Sequence, residues 1–257
     1  MNIAIITGAS SGMGSEFARQ IAQKCVGLDE IWLVARRSRP MEELAENLSI
    51  ATRIFAMDLT NPGSYESLRT ALQEHNPRVR ILVGCAGYGK VGAFTASSEA
   101  DLLGMIDLNC KALTKITYLI LPYMPKRSYL IQLASSAAFL PQPGFDVYAA
   151  SKSYVLSFTR ALREELRHRQ IHVTAVCPGP VDTPFFDIAE ENGEAFFFKK
   201  IFMASKEKVV RKALRDAFHG KDLSVYGIPM KIMHIGCKLL PQKWILYCYE
   251  AFMKIRS

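Results

Sequence analysis

The sequence predicts an α/β fold: a single domain, residues 1–257, built on a doubly wound parallel β-sheet flanked by helices, with a helical C-terminal extension. Three observations predict it. Short apolar, β-branched runs recur at 2–7, 30–35, 52–57, 79–84, 128–134, 171–177 and 222–226. Longer amphipathic stretches separate them, near 12–25, 40–48, 63–75, 98–121, 146–169, 205–219 and 230–254. Runs such as Ile81-Leu82-Val83 are continuously apolar, the pattern of strands buried on both faces, as in parallel sheets. Strict alternation with short links then winds one sheet with right-handed crossovers, and no repeat, linker or low-complexity segment divides the chain.

Composition narrows the class. Hydrophobic residues make up 49% of the chain and charged residues 22%, which excludes a disordered polypeptide. The six cysteines (25, 85, 110, 177, 237 and 248) form no pair or Cys/His cluster with metal spacing, so no metal site is expected and a reduced, cytoplasmic setting fits. The N-terminus has no basic, apolar and cleavable succession of a secretory signal, and no uninterrupted apolar run reaches the ~18 residues of a spanning helix. The net charge of +8 is uneven: residues 199–257 carry +9, and residues 1–198 carry −1.

The motifs fall where strands end. Thr7-Gly8-Ala9-Ser10-Ser11-Gly12-Met13-Gly14 joins the first strand to the first helix. Glycines there permit a tight turn and close backbone approach to a pyrophosphate, whose charge is favoured at a helix N-terminus. The second strand ends in Ala35-Arg36-Arg37, with no acid to hold a ribose diol. Two guanidiniums would instead attract a 2′-phosphate. Tyr148 and Lys152, at i and i+4, share a helix face. Taken singly, each signal has a plain alternative: an ordinary Gly/Ser turn, a solvated basic turn, a chance helical spacing.

Together they resemble the short-chain dehydrogenase/reductase superfamily, whose TGxxxGxG loop and YxxxK pair recur here in order and approximate spacing. The resemblance covers residues 2–185 well and implies a Rossmann-type fold binding NADP(H). It assigns Gly8, Ser10, Ser11, Gly12, Met13 and Gly14 to the cofactor loop, Arg36 and Arg37 to the 2′-phosphate, and Asp58-Leu59 to the adenine. Cys85-Ala86-Gly87 stands where the family has Asn-Ala-Gly, so Cys85 lacks an amide usual at that position. Within Pro178-Gly179-Pro180-Val181-Asp182-Thr183, similar to the family's PGxVxT segment, Pro178 and Gly179 would pass the nicotinamide carboxamide, with Val181 and Thr183 in contact.

The same resemblance implies a catalytic set. Tyr148 would be general acid in reduction and general base in oxidation. The ammonium of Lys152, together with the cationic nicotinamide in the oxidative direction, would lower the phenol's pKa, and Lys152 would also hold the nicotinamide ribose. Ser135, 13 residues before Tyr148, would donate to the carbonyl oxygen, and Ser136 competes for that role. Asn109 would hold a water that links Lys152 to a proton relay. The implied activity is NADP(H)-dependent interconversion of a hydrophobic alcohol and a ketone or aldehyde, with steroid-like and acyl-chain-like compounds among the candidates. A homodimer or homotetramer is implied, and no nucleic-acid partner. Two other readings stay open: a silent NADP(H)-binding regulator or scaffold, and a peripheral-membrane protein acting through its basic tail.

Beyond Thr183 the chain is rich in Phe, at 185, 186, 196, 197, 198 and 202. The resemblance implies a substrate lid over about 183–205, which such residues would suit to an apolar substrate, and core packing or an oligomer contact is the alternative. Tyr88, Phe94, Leu140, Pro143 and Phe145 are further wall candidates. The extension, about 229–257, mixes Ile232, Ile235, Leu239, Leu240, Trp244 and Ile245 with Lys231, Lys238 and Lys243, and Pro241 interrupts it. It could cover the pocket, join subunits or lie on a membrane. The sequence ranks the membrane third, because apolar stripes at helical spacing are usually buried against protein.

Overall fold

The computed structural model describes residues 1–189 and 203–247. Seven strands form one sheet: β1 (Asn2–Thr7), β2 (Glu30–Ala35), β3 (Ala51–Ala56), β4 (Arg78–Gly84), β5 (Tyr129–Leu133), β6 (His172–Val176) and β7 (Leu223–Ser224). Their order is β3-β2-β1-β4-β5-β6-β7, and every neighbouring pair is parallel. The chain winds outward from β1 through β2 to β3, then returns to β4 and winds the other way. β1 and β4 therefore flank the point where the order reverses.

The period-2 geometry of the strands sends alternate residues to opposite faces. Ile3, Ile5, Trp32, Val34, Val79 and Leu82 pack on one side with α3 (Glu66–His75), α5 (Leu113–Ile120) and α6 (Asp146–Glu165). Ala4, Ile6, Ile31, Leu33, Ile81 and Val83 pack on the other. There they meet α1 (Gly12–Lys24), α2 (Ser38–Glu46) and α8 (Lys206–Phe218). Both faces are dry, which is why these strands read as continuous apolar runs rather than alternating ones.

Two predicted elements differ, and the extension breaks at Pro241 as expected. The helix expected over 98–121 is α4 (Glu99–Ile106), a π-helical segment over Asp107–Ala112, and then α5. Within this wider turn Asn109 is buried, a feature that hydrophobic periodicity does not register. The last strand, expected over 222–226, pairs through only Leu223 and Ser224. The extension forms α9 (Ile228–Leu239), which stops ahead of Pro241, and residues 242–247 resume helical structure. A short helix, α7 (Phe185–Ala189), follows β6. Phe196, Phe197, Phe198 and Phe202, and residues 248–257 of the extension, lie outside the described residues.

Candidate active site

Thr7, buried at the end of β1, ties two strand ends together. Its hydroxyl accepts from the Cys85 and Ala86 N–H groups at 3.0 and 3.1 Å and lies 3.4 Å from the Val83 carbonyl. The chain then turns through Gly8 at φ +67° and Gly12 at φ +57°, values that only glycine adopts without strain. A Cβ on Gly8 would sit 2.9 Å from the Ala86 nitrogen, and one on Gly14 would sit 2.1 Å from the Gly8 carbonyl oxygen. Ser11 occupies the N-cap of α1, but its side chain makes no capping bond, and the first turn contains no acid. The opening of α1 therefore presents N–H groups and a positive dipole end to an anion.

That turn borders a cleft of about 1080 Å³ at the C-terminal ends of the strands. Gly8, Ser10, Ser11, Gly12, Met13, Gly14, Arg36, Arg37, Asp58, Leu59, Cys85, Ala86 and Gly87 line one half. Arg37 reaches over the loop, with Nη2 3.3 Å from Ser10 Oγ and 3.2 Å from Ser11 Oγ. Asp58 accepts from the Thr60 N–H at 2.9 Å and the Thr60 hydroxyl at 2.7 Å. Burial pushes its carboxyl up, but these two bonds and the charge of Arg36 prevail and hold it below its ordinary range.

The other half carries the titratable cluster. Ser135, Ser136, Tyr148, Lys152, Gly179, Val181 and Thr183 line it; the Ser135 hydroxyl accepts from the Ala137 N–H at 3.1 Å and stands near enough to Tyr148 to favour its ionised form. Ser136 lines the cleft as well, and its N–H donates to the Pro178 carbonyl at 2.8 Å. The Tyr148 ring stacks on Phe145 with centroids 4.3 Å apart and leans on Phe185 at 5.4 Å. Lys152 is buried, its Nζ donating to the Leu133 carbonyl at 3.0 Å and standing 5.7 Å from the Tyr148 ring centre. Burial drives the ammonium down to about 8, against smaller opposing effects from Cys85, Cys110 and Cys177.

The phenol of Tyr148 is not lowered by Lys152. Its burial raises it further above the ordinary tyrosine value, and the Ser135 hydrogen bond offsets only part of that rise. Two placements differ from expectation. Asn109 is fully buried and does not line the cleft: its Oδ1 accepts from the Tyr88 N–H at 3.1 Å, and its Nδ2 donates to the Tyr88 carbonyl and Ser151 hydroxyl, each at 2.9 Å. Through these bonds that side chain braces the loop after β4. Pro178 likewise lies behind the wall, contributing only its carbonyl to Ser136.

Of the apolar wall candidates, Tyr88, Leu140, Phe145, Phe185 and Phe186 line the cleft, whereas Phe94 is exposed and Pro143 lies elsewhere. Sequence reasoning missed Thr7, Thr60, Gln142 and the α9 residues Pro229, Met230 and Met233, all but Thr7 on the cleft wall. The two methionines had a readable signal. They stand three apart, on the side of α9 opposite its isoleucines.

A parallel α/β sheet that opens where its strand order reverses is a Rossmann-type fold, and that crevice is where such sheets take dinucleotides. The family is narrower. Residues 2–193 match the short chain dehydrogenases, and the chain belongs to that family of oxidoreductases. It is 35% identical over 193 residues to sulfoacetaldehyde reductase 2 of Chromohalobacter salexigens, covering 72% of this chain and 74% of the relative. Among solved structures it resembles a short-chain dehydrogenase of Sphingobium yanoikuyae in complex with NADPH (TM-score 0.77, 23% identity, 100% of this chain and 96% of the other). It also resembles a short-chain dehydrogenase/reductase of Burkholderia phymatum in complex with NAD (TM-score 0.79, 21% identity, 93% and 94%).

Proposed function

We propose that this oxidoreductase uses NADP(H) to interconvert a hydrophobic secondary alcohol and the corresponding ketone, or a primary alcohol and aldehyde. The observation that carries the reading is the meeting of Ser135, Tyr148 and Lys152 on one wall of a cleft whose far end holds two arginines and a glycine cradle. The cradle fits a dinucleotide: side chains at Gly8 and Gly14 would fill it, and the uncapped start of α1 suits a pyrophosphate. Arg36 and Arg37, both exposed beside the loop, suit a 2′-phosphate. Lys152 would hold the nicotinamide ribose, and Val181 and Thr183 the carboxamide. The cofactor, when bound, supplies or accepts the hydride.

The chain's own groups handle orientation and protons. The Ser135 hydroxyl donates to the substrate oxygen and stabilises the negative charge that gathers there during reduction. The Tyr148 hydroxyl then delivers its proton to that oxygen. Burial keeps this phenol protonated through neutral pH, which suits a donor. Lys152, at about 8, is still mainly ammonium at pH 7, and its charge stands 5.7 Å from the centre of the Tyr148 ring. Phe145, Phe185, Phe186, Met230 and Met233 keep water away and favour an apolar substrate.

The test is a parallel titration with NADPH and NADH, followed by energy transfer from protein to nicotinamide. The expected result is tighter NADPH binding. The Arg36→Gln/Arg37→Gln variant should lose on the order of a hundredfold for NADPH while NADH changes little, since charge-assisted bonds contribute roughly 1.5–3 kcal/mol each. Equal losses for both cofactors would remove the phosphate-clamp assignment.

A further inference from the structure

The helix α9 has two apolar sides, and among the described residues only one packs against the protein. Met230 and Met233 face the cleft, Met230 packs at Gly179, and the His234 ring lies 4.5 Å from that of Phe139. These contacts fix the helix's rotation. The opposite side then presents Ile228, Ile232, Ile235 and Leu239 to solvent, at 72%, 65%, 56% and 76% exposure. Positions i, i+4, i+7 and i+11 fall on one stripe. Trp244 and Tyr247, also exposed, extend the surface beyond Pro241. Of the sixteen large hydrophobic residues exposed among the described ones, seven fall within residues 228–247. Elsewhere such residues are scattered, whereas a contiguous patch marks an interaction site.

The charge around the stripe identifies the occupant. Lys231 and Lys238 are exposed along one margin, and Lys243 is exposed beyond the break. No Asp or Glu occurs from Ile228 to Tyr247. A second copy of the chain, paired through this stripe about a two-fold axis, would set lysines against lysines with no counter-charge from either helix. An anionic lipid leaflet supplies the counter-charge, and it accepts the isoleucines in its acyl boundary and the Trp and Tyr rings at headgroup level. We infer that the outward face of α9, continued to Tyr247, is a docking surface for anionic membranes. The enzyme would lie on the bilayer with the helix that roofs its cleft in the interface. No helix among the described residues is long and apolar enough to cross a membrane, so the contact is peripheral.

The full chain is to be mixed with vesicles of phosphatidylcholine alone and of phosphatidylcholine with phosphatidylglycerol. Co-sedimentation and tryptophan emission are then read. The chain has two tryptophans, and Trp32 is fully buried, so a lipid-induced blue shift reports Trp244. Pelleting and a blue shift are expected with the anionic vesicles, weakening as salt rises. The variant Ile232→Ser/Ile235→Ser/Leu239→Ser should lose at least about tenfold in binding. Replacing Lys231, Lys238 and Lys243 with Gln should lose roughly fivefold per charge. All six side chains are exposed, so neither variant disturbs the core. No pelleting with either vesicle, or unchanged pelleting of both variants, overturns the proposal. Equal pelleting with both compositions overturns the anionic assignment. A wild-type dimer that becomes monomeric in the serine variant, without vesicle binding, assigns the stripe to a second copy instead. None of these readouts needs cofactor or turnover, so a failure leaves the proposed reaction untouched.

Discussion

The dinucleotide half of the cleft is made largely of backbone, whereas the opposite half is made of side chains. At Gly8, Gly12 and Gly14 the geometry depends on having no Cβ, and Thr7 fixes it by bonding straight to main-chain groups of the next strand. Across the cleft, Ser135, Tyr148 and Lys152 depend on burial and on the packing of Phe145 and Phe185. A backbone site tolerates no added atom but asks little of its neighbours. A side-chain site tolerates new shapes but takes its chemistry from its surroundings. This is the division expected of a scaffold that keeps one cofactor while substrates vary.

The sharpest break in that comparison is Gly14→Ala. Its methyl would lie 2.1 Å from the Gly8 carbonyl oxygen, a backbone atom that cannot yield cheaply. Binding of NADPH and NADH should fall together, by on the order of a thousandfold, as the cradle opens. A variant that binds both normally would show that the loop has room the structure does not allow. Tyr148→Phe tests the other half. It removes only the hydroxyl, so kcat for ketone reduction should drop by roughly 10²–10⁴ while cofactor affinity stays within about twofold. A turnover number near wild type would assign the proton to another donor.

The next effect is on stability. Lys152 titrates near 8 in the folded chain and near 10.5 when unfolded, so folding carries a penalty wherever the buried amine is protonated. Between pH 8 and 10.5 the unfolded state binds more protons, and stability must rise with pH across that window. The difference in unfolding free energy between wild type and Lys152→Met should therefore grow in favour of wild type by up to about 3 kcal/mol from pH 8 to 10.5. A pH-independent difference would mean that the amine is better solvated than its burial implies. The smallest effect concerns the roof. Met230→Ala with Met233→Ala should raise KM for bulky apolar ketones several-fold, about 1 kcal/mol, with NADPH binding unchanged. Loss of NADPH affinity instead would place α9 over the cofactor.

Much of this was legible in the residues. Continuous apolar runs foretold a sheet covered on both faces, and the core divides between the two sides of the strands. The glycine loop, the arginines and the Tyr148–Lys152 pair could be placed because each depends on local spacing at the end of a strand or along a helix. What escaped depended on longer reach. The burial of Asn109 within the π-helical turn, the two-residue pairing of β7, and the buried Thr7 bridge between β1 and β4 all involve partners distant in sequence. Apolar spacing also suggested that the stripe of the extension is buried against protein, and among the described residues it is exposed. A stripe shows that a helix has an apolar face. It does not show which face the body of the protein covers.

The sequence by itself determined the strand–helix alternation, the glycine turn before α1, the positions of the charged and titratable side chains, and hence the family. These follow from local backbone preference and from the period of the hydrophobic pattern, both of which act within a few residues. Only the tertiary structure decided that burial raises the Tyr148 phenol and lowers the Lys152 ammonium, and that α9 turns its methionines inward and its isoleucines out. Desolvation and rotational setting depend on what the rest of the chain packs against a group, and no short stretch of sequence carries that information.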